Sequence, residues 1–281
     1  MSRSTDIINS ILEVSDISED EKTLLRLGIK KFKKNDDGSF DVNGIVDISN
    51  KGLTEIPVKF RNIKHGFICN KNKLTSLKNS PVKVGGYFIC SSNKLTSLSG
   101  GPESVKGYFD CDNNELKSLD GCPKFVGDDF NCNHNKLTSL SGSPNKINGG
   151  FYCNGNKLKS LEGCPSDIAE NFFCRNNDLI SLKGSPKKIG DSFDCSNNKL
   201  KSLEGGPTNI GKNYKCSDNE LTSLKGAPES INGSFSCDGN KLTSLKGAPN
   251  SVKDYFNCSF NPGKFTHEDV EEFVRTKDAV T

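Results

Sequence analysis

The sequence predicts an α/β solenoid, a stack of short rungs whose strands form one parallel β-sheet on a concave face, with a helical cap at each end. The first observation behind this prediction is an unbroken period of 21 residues, marked by a cysteine in every repeat from Cys69 to Cys258. The second is that each period repeats one pattern, which reads GYFDCDNNELKSLDGCP at residues 107–123. A period of this length is typical of solenoids, in which each unit packs only on its neighbours.

The composition agrees with an elongated repeat protein. Hydrophobic residues make up 32% of the 281 residues, which is low for a globular core but sufficient when each rung buries only a few side chains. The net charge of +3 does not indicate a nucleic-acid or membrane partner. The sequence has neither an apolar run long enough for a membrane helix nor an apolar signal core at its start. We therefore expect a cytoplasmic protein whose twelve cysteines are reduced thiols.

Residues 1–44 are expected to form an N-terminal helical cap and a hairpin. Apolar residues at helical spacing predict one helix over residues 7–12. A capping box of Ser18 and Glu21 predicts the start of a second helix, which continues past Phe32 and is stopped by Asp36-Asp37-Gly38. Asn43-Gly44 predicts the two-residue turn of a hairpin between strands 40–42 and 45–48. Such a cap would cover the sheet edge and the open core of the first rung.

Residues 45–265 are expected to form a solenoid of about eleven 21-residue rungs, followed by a capping helix over residues 266–281. In the repeat of Cys111, alternation along the strand directs Phe109 and Cys111 into the core, and Tyr108, Asp110 and Asp112 toward solvent. A proline on the return side of each repeat leaves no room for a full helix there. We expect extended or 3₁₀ segments on this convex side.

The repeat pattern also carries a family resemblance. The string C-x-x-N-x-L-x-S-L-x-G-x-P, as at residues 195–207, resembles a leucine-rich repeat of the short, proline-containing bacterial type. In stretches such as NKLTSLKGAP the sequence is similar to leucine-rich repeat proteins of large tailed bacteriophages. The resemblance covers residues 40–265 and implies a horseshoe-like solenoid. It departs from the commonest pattern by Phe and Cys in place of strand leucines and by one extra residue per repeat.

The cysteine, asparagine and serine columns are interpreted as structural. The cysteines are small core residues, because Ile48 fills their place in the first rung and no cysteine or histidine pair completes a metal site. The asparagines are expected to hydrogen-bond buried backbone groups at the bend. The nine serines from Ser76 to Ser244 are expected to cap the backbone locally.

The remaining polar residues do not indicate an enzyme. A lysine follows the asparagine in most repeats, but three acids interrupt this column, which favours a solvated face over a phosphate-binding stripe. No nucleophile lies beside a base, and there is no phosphate-binding loop or paired-carboxylate signature. We therefore predict a protein without catalytic residues, cofactor or metal.

The outward positions of the strands differ from rung to rung and are the candidate partner-binding residues. One predicted group joins exposed apolar and aromatic side chains to carboxylates around Tyr108, and a second places Tyr152 and Phe173 beside Arg175. Exposed aromatic clusters and arginines are typical of binding surfaces. The candidate residues are Tyr87, Ile89, Tyr108, Asp110, Asp112, Asp129, Tyr152, Phe173, Arg175, Asp194 and Lys215.

This face predicts a non-catalytic module that recognises a protein partner. The phage resemblance implies that the partner is a host factor or a defence protein, met in the host cytosol. Two alternatives stay open: capture of a small, nucleotide-like ligand at the aromatic pair, and a structural role in an assembly. Neither a nucleic-acid nor a membrane partner is expected. The oligomeric state and a contribution of the convex face to binding are left open.

Overall fold

The computed structural model describes residues 17–281, and the predicted helix over residues 7–12 lies outside this range. The described chain forms a solenoid of about 11 turns built from parallel strands. Each turn contains two short strands: a return strand, and a Cys strand that ends directly before the cysteine of the repeat. The chain then passes through a bend, formed by the asparagine and leucine positions, to the next return strand.

The Cys strands pair in parallel, each residue with the residue 21 positions later, as Phe109 pairs with Phe130. Their bounds are Val46–Asp47, Phe67–Ile68, Phe88–Ile89, Phe109–Asp110, Phe130–Asn131, Phe151–Tyr152, Phe172–Phe173, Phe193–Asp194, Tyr214–Lys215 and Phe235–Ser236. The return strands are Phe40–Val42, Phe60–Ile63, Lys83–Val84, Ser104–Val105, Phe125–Val126, Lys146–Ile147, Asp167–Ile168, Lys188–Ile189, Asn209–Ile210 and Ser230–Ile231. In the last rung a single strand, Ser251–Asn257, pairs with both Ser230–Ile231 and Phe235–Ser236.

The convex side is extended, which is one of the two conformations that the prolines predicted. Its return strands also pair with each other in parallel, so each rung contributes to two sheets. The return sheet is interrupted between Ile147 and Asp167 and again between Ile210 and Ser230. The Cys strands form the continuous sheet, which makes their outer side the regular surface of the molecule.

The core consists of stacked columns of identical residue types. The rings of Phe88 and Phe109 are parallel to within 6°, with centroids 5.3 Å apart. Cys111 is fully buried, and its Sγ donates to the Asn131 carbonyl oxygen at 3.3 Å. Burial raises the pKa of the Cys111 thiol well above its ordinary value. The interpretation of the cysteine column as core is confirmed.

The asparagine column links each rung to the one before it. The side-chain amide of Asn114 donates to the carbonyl oxygens of Cys90 at 3.0 Å, of Cys111 at 3.1 Å and of Asp112 at 3.3 Å. Its Oδ1 accepts from the Leu95 backbone N–H at 3.0 Å. The same set of bonds continues to the last rung, so the predicted ladder is confirmed. Seven of the nine serines cap the backbone as expected, as the Ser97 hydroxyl does by accepting from the N–H two residues later at 3.1 Å, whereas Ser160 and Ser202 make no such bond within residues 17–281.

The N-terminal cap begins as predicted and ends earlier. Helix α1 spans Glu19–Arg26 and starts at the predicted capping box, in which the Ser18 backbone N–H donates to Glu21 Oε2 at 3.0 Å. The prediction that this helix continues past Phe32 is wrong. Gly28 adopts a φ of +85°, the left-handed conformation with which a helix commonly ends.

The predicted hairpin around Asn43-Gly44 is also wrong. Phe40–Val42 pairs in parallel with Phe60–Ile63 in the return sheet, whereas Val46–Asp47 pairs with Phe67–Ile68 in the sheet of Cys strands. Asn43-Gly44 therefore forms the turn between the two strands of the first rung. The hairpin of this segment lies earlier, where the strand Lys33–Lys34 pairs antiparallel with Phe40–Val42 and adds an edge strand to the return sheet.

The C-terminal cap is a short helix followed by a strand. Helix α2 spans His267–Phe273, and its N-cap Thr266 accepts from the Asp269 backbone N–H at 3.2 Å. The prediction of a helix up to residue 281 is wrong, because Arg275–Val280 pairs in parallel with Ser251–Asn257. The last rung would otherwise expose a row of unpaired backbone groups, which this strand satisfies. Across residues 17–281, neither helix is long and apolar enough to cross a membrane.

Candidate partner-binding face

The concave face is the solvent-facing side of the Cys strands, formed by the residues three before, one before and one after each repeat cysteine. Ten of the eleven candidate residues are at least partly exposed on it. Asp194 differs from the expectation, since it is only 8% exposed and its Oδ1 accepts from the Ser196 backbone N–H at 3.0 Å. Its carboxylate therefore serves the local backbone and offers little surface to a partner.

Two aromatic pairs lie on this face. Tyr87 and Tyr108 occupy the same column of neighbouring rungs, and their rings stack with centroids 5.2 Å apart and an interplanar angle of 17°. Tyr152 and Phe173 meet edge to face with centroids 5.5 Å apart. The neighbouring strand residues, Phe109 directly after Tyr108 and Phe172 directly before Phe173, are fully buried, so alternation separates the rings of the concave face from the core rings.

A shallow cleft of about 300 Å³ connects the two aromatic pairs, which the sequence had suggested were separate. Tyr108 lines it on one side and Tyr152 on the other. The rung between them contributes Asp129 and Asn131, and Asp110 completes the lining. The cleft therefore combines two phenol rings with two carboxylates and one amide.

Gly150 explains why Tyr152 borders this cleft. A Cβ atom at Gly150 would lie 2.6 Å from the Tyr152 hydroxyl, so only glycine leaves room for the tyrosine to lean across that position. The Gly150 backbone N–H donates to Asp129 Oδ1 at 2.7 Å, which fixes the carboxylate in the rung before. Gly150 therefore leaves space for the Tyr152 ring and also fixes the Asp129 carboxylate by a hydrogen bond.

The carboxylates of the cleft are held by backbone and hydroxyl groups. Asp110 Oδ1 accepts from the Asp112 backbone N–H at 3.0 Å. Burial is the main cause of a raised pKa for the Asp110 carboxyl, opposed by hydrogen bonds from Asp112 and Ser91. Among residues 17–281, neither Asp110 nor Asp129 forms an ion pair with a lysine or arginine.

The sequence did not indicate a role for His134. Its Nδ1 lies 2.9 Å from Asp112 Oδ1 in the preceding rung, so this histidine and this acid form a pair at the border of the concave face. The signal was present as a separation of 22 residues, one repeat plus one position. Asn131 was also passed over, since asparagine is common throughout the repeats and only the structure shows it lining the cleft.

The concave face is acidic over its first six rungs. From Ile45 to Asn154 its three columns contain no lysine or arginine, and their acids are Asp47, Asp110, Asp112 and Asp129. In the five remaining rungs two acids, Asp194 and Asp238, balance two bases, Arg175 and Lys215. The formal charge is therefore −4 in the first part and 2 − 2 = 0 in the second, although the chain as a whole carries +3.

A larger groove of about 980 Å³ lies on the return side near the N-terminal cap, with a lysine-rich rim that includes Lys31, Lys64 and Lys83. Its apolar floor is almost inaccessible: Val42, Ile63 and Val84 are 5%, 1% and 2% exposed. The surface of this groove that a partner could contact consists of lysine side chains and backbone. Its one aromatic ring, Phe32, is partly buried. The concave face is the better candidate for a protein interface.

The lysine column is solvated, as the sequence indicated. The acids that interrupt it pair with the lysine of the next rung: Lys136 Nζ lies 2.8 Å from Glu115 Oε2, and Lys199 Nζ lies 2.6 Å from Asp178 Oδ1. Exposed pairs of this kind contribute little to stability, because water and salt screen them. They also reduce the positive charge that a phosphate backbone would need.

Comparisons with known proteins identify the architecture. No family model and no curated protein matches the chain, whereas 12 chains of solved structures do. YopM from Yersinia enterocolitica WA-314 matches with a TM-score of 0.54 and 17% identity, over 100% of this chain and 73% of that chain. The chain folds as a leucine-rich repeat solenoid. YopM from Yersinia pestis, a leucine-rich effector protein, matches with a TM-score of 0.55 and 20% identity, over 92% of this chain and 78% of that chain.

The solenoid predicted from the 21-residue period, and the leucine-rich repeat fold that the repeat pattern resembles, are therefore confirmed. Leucine-rich repeat solenoids commonly serve as protein-interaction modules. The similarity to bacteriophage repeat proteins stays a prediction, as does the binding role of each residue of the concave face.

Proposed function

We propose that this leucine-rich repeat solenoid is a non-catalytic module that binds a protein partner through its concave face. The observation that carries the proposal is the two aromatic pairs, Tyr87 with Tyr108 and Tyr152 with Phe173, which are partly exposed on the concave face and are joined by one cleft. Exposed aromatic rings that lie beside charged groups are typical of the central contacts of protein interfaces. The phage resemblance supports a host or defence protein as the partner, bound in the cytosol.

The test compares matched variants of the full chain as bait in a bacterial extract, followed by affinity measurement with the purified partner. Replacing both Tyr152 and Phe173 with alanine removes two adjacent rings, each of which commonly contributes about 2 kcal/mol at the centre of an interface. We expect binding to weaken at least about tenfold. The control is Lys199→Ala, which removes one partner of an exposed ion pair outside the concave face. A loss of binding in the control but not in the double variant would contradict the proposal.

The alternative of a nucleotide-like ligand is weakened by the charge of the cleft. Asp110 and Asp129 line it directly, and no lysine or arginine of the concave face lies in the same six rungs. A phosphate group in this cleft would be repelled by these carboxylates, and the nearest cation of the concave face, Arg175, lies one rung beyond Tyr152. Calorimetry against a panel of nucleotides should therefore detect no binding, and saturable binding of any of them would favour the alternative.

A further inference from the structure

The free face of Tyr108 points along the solenoid toward the next rung. One side of its ring is covered by Tyr87, one rung earlier in the same column. The next rung carries Asp129 at this position, which is too short to cover the other side of the ring. One tyrosine ring is therefore held in place by stacking and left open on the side of the cleft.

Tyr152 lies on the opposite side of the cleft from Tyr108, two rungs further along the solenoid. Because Gly150 has no side chain, the Tyr152 ring reaches the column that Tyr108 and Asp129 occupy. Neighbouring strands are about 4.8 Å apart, so the two strands that carry these rings lie roughly 10 Å apart. After subtracting the thickness of the rings, this space accommodates one guanidinium group or the end of one lysine side chain.

The chemistry of this space favours a cation. The tyrosines Tyr108 and Tyr152 line it together with the carboxylates of Asp110 and Asp129, and cations are attracted both by carboxylates and by the faces of aromatic rings. Neither acid has a basic partner among residues 17–281, and Lys106, in the turn before Tyr108, lines the separate groove on the return side. Both carboxylates keep an oxygen to which a guanidinium could donate.

We propose that the cleft between Tyr108 and Tyr152 receives the cationic side chain of an arginine or lysine from a basic segment of the protein partner. This inference rests on the proposed function and adds the chemistry of the recognised segment. The acidic first six rungs extend the same complementarity beyond the cleft, because further basic residues of that segment would meet Asp112 and Asp47 along the face.

The probe is a blocked pentapeptide, acetyl-Gly-Gly-Arg-Gly-Gly-amide, added to the full chain carrying isotope-labelled tyrosine rings. The chain has 5 tyrosines and no tryptophan, so each ring can be assigned with a Tyr→Phe variant. We expect saturable shifts of the Tyr108 and Tyr152 signals. The signals of Tyr214, in the core, and Tyr255, in the last rung, serve as internal controls and should not move.

Two comparisons make the result specific. The same peptide with citrulline in place of arginine keeps the shape and removes the charge, and it should bind at least about fivefold more weakly. The variant Asp110→Asn with Asp129→Asn should weaken binding of the arginine peptide by a similar factor. The control variant Asp167→Asn with Asp254→Asn removes the same charge from exposed positions outside the cleft and should leave the affinity within about twofold.

Equal binding of the citrulline and arginine peptides would overturn the inference, and so would the absence of saturable shifts. Binding of free spermidine as tightly as the arginine peptide would also overturn it, because the cleft would then recognise a small polyamine. If these tests fail while the partner still requires Tyr152 and Phe173, only this inference is wrong. If the partner does not require those rings, the proposed function is wrong.

Discussion

The side-chain amide of Asn135 donates to the carbonyl oxygen of Cys111, one rung earlier, at 3.1 Å. In the same contact its Oδ1 accepts from the Leu116 backbone N–H at 3.0 Å. Each buried rung is therefore joined to its neighbour by a side chain as well as by the strands, and backbone groups at the bend that the sheet cannot pair are satisfied.

Replacing Asn135 with alanine should lower the free energy of unfolding by roughly 1–3 kcal/mol, because it leaves the Leu116 N–H and the carbonyls at the bend without partners. Urea unfolding followed by circular dichroism measures this change. Asn145→Ala, at an exposed position on the return side, is the control and should be close to neutral. An unchanged midpoint for Asn135→Ala would show that the ladder does not contribute to stability.

Replacing Cys111 with alanine should lower the free energy of unfolding by about 1–2 kcal/mol, as expected for a small truncation in the core. Partner binding should not change, since the side chain does not reach the concave face. Because burial raises the pKa of this thiol well above its ordinary value, a thiol reagent should label Cys111 in the unfolded chain and not in the native one. Chelators should have no effect. Zinc recovered in stoichiometric amounts with the purified protein would contradict the core interpretation.

Tyr214→Phe should stabilise the protein by about 1 kcal/mol. Tyr214 takes the place of phenylalanine in the core column and is fully buried, and its hydroxyl has no hydrogen-bond partner among the described residues. The substitution removes this hydroxyl and restores the ring that other rungs carry. Thermal unfolding measures the gain, with Tyr255→Phe, at a 42% exposed position, as the control. A lower midpoint for Tyr214→Phe would indicate that the hydroxyl makes a favourable contact.

Removing residues 275–281 should cause concentration-dependent association. The deleted strand pairs with Ser251–Asn257, whose outer edge would then be open to another chain. Light scattering over a range of protein concentrations distinguishes this outcome from a stable monomer. Deletion of Thr281 alone, which lies beyond the strand, is the control. If the longer deletion leaves the association state and the unfolding temperature unchanged, the strand does not protect the sheet edge.

The repeat could be predicted because its strongest signals are one period apart and reinforce each other in every rung. The strands at the two ends of the solenoid could not be predicted, because the strands with which they pair belong to neighbouring rungs and not to the adjacent sequence. Asn43-Gly44 has the local chemistry of a hairpin turn, yet the strands on either side pair with residues about one period later. Residues 275–280 follow a true helix start at Thr266, but the open edge of the last rung favours a strand there.

The sequence was sufficient to predict which strand positions face solvent on the concave face. It was not sufficient to predict the direction in which each side chain extends along that face. Alternation placed Tyr108 and Tyr152 on the correct side of the sheet. Their meeting across one cleft depends on the absence of a side chain at Gly150, two residues before Tyr152. In the sequence, a glycine at a variable position indicates only that the binding surface has no side chain there. In the structure, the absence of a side chain at Gly150 allows the Tyr152 ring to extend over that position.

The asparagine ladder has a direction along the chain, and this affects how the protein folds during synthesis. The Leu116 N–H is satisfied by Asn135, which lies 19 residues later, and no earlier residue takes that place. A ribosome that adds about 5–20 residues per second would need roughly 1–4 s to supply the next rung, far longer than local chain closure takes. Each newly emerged rung therefore lacks the asparagine hydrogen bonds at its bend until the following rung has been synthesised. A stalled ribosome should hold a nascent chain whose last rung is sensitive to protease while all earlier rungs are protected.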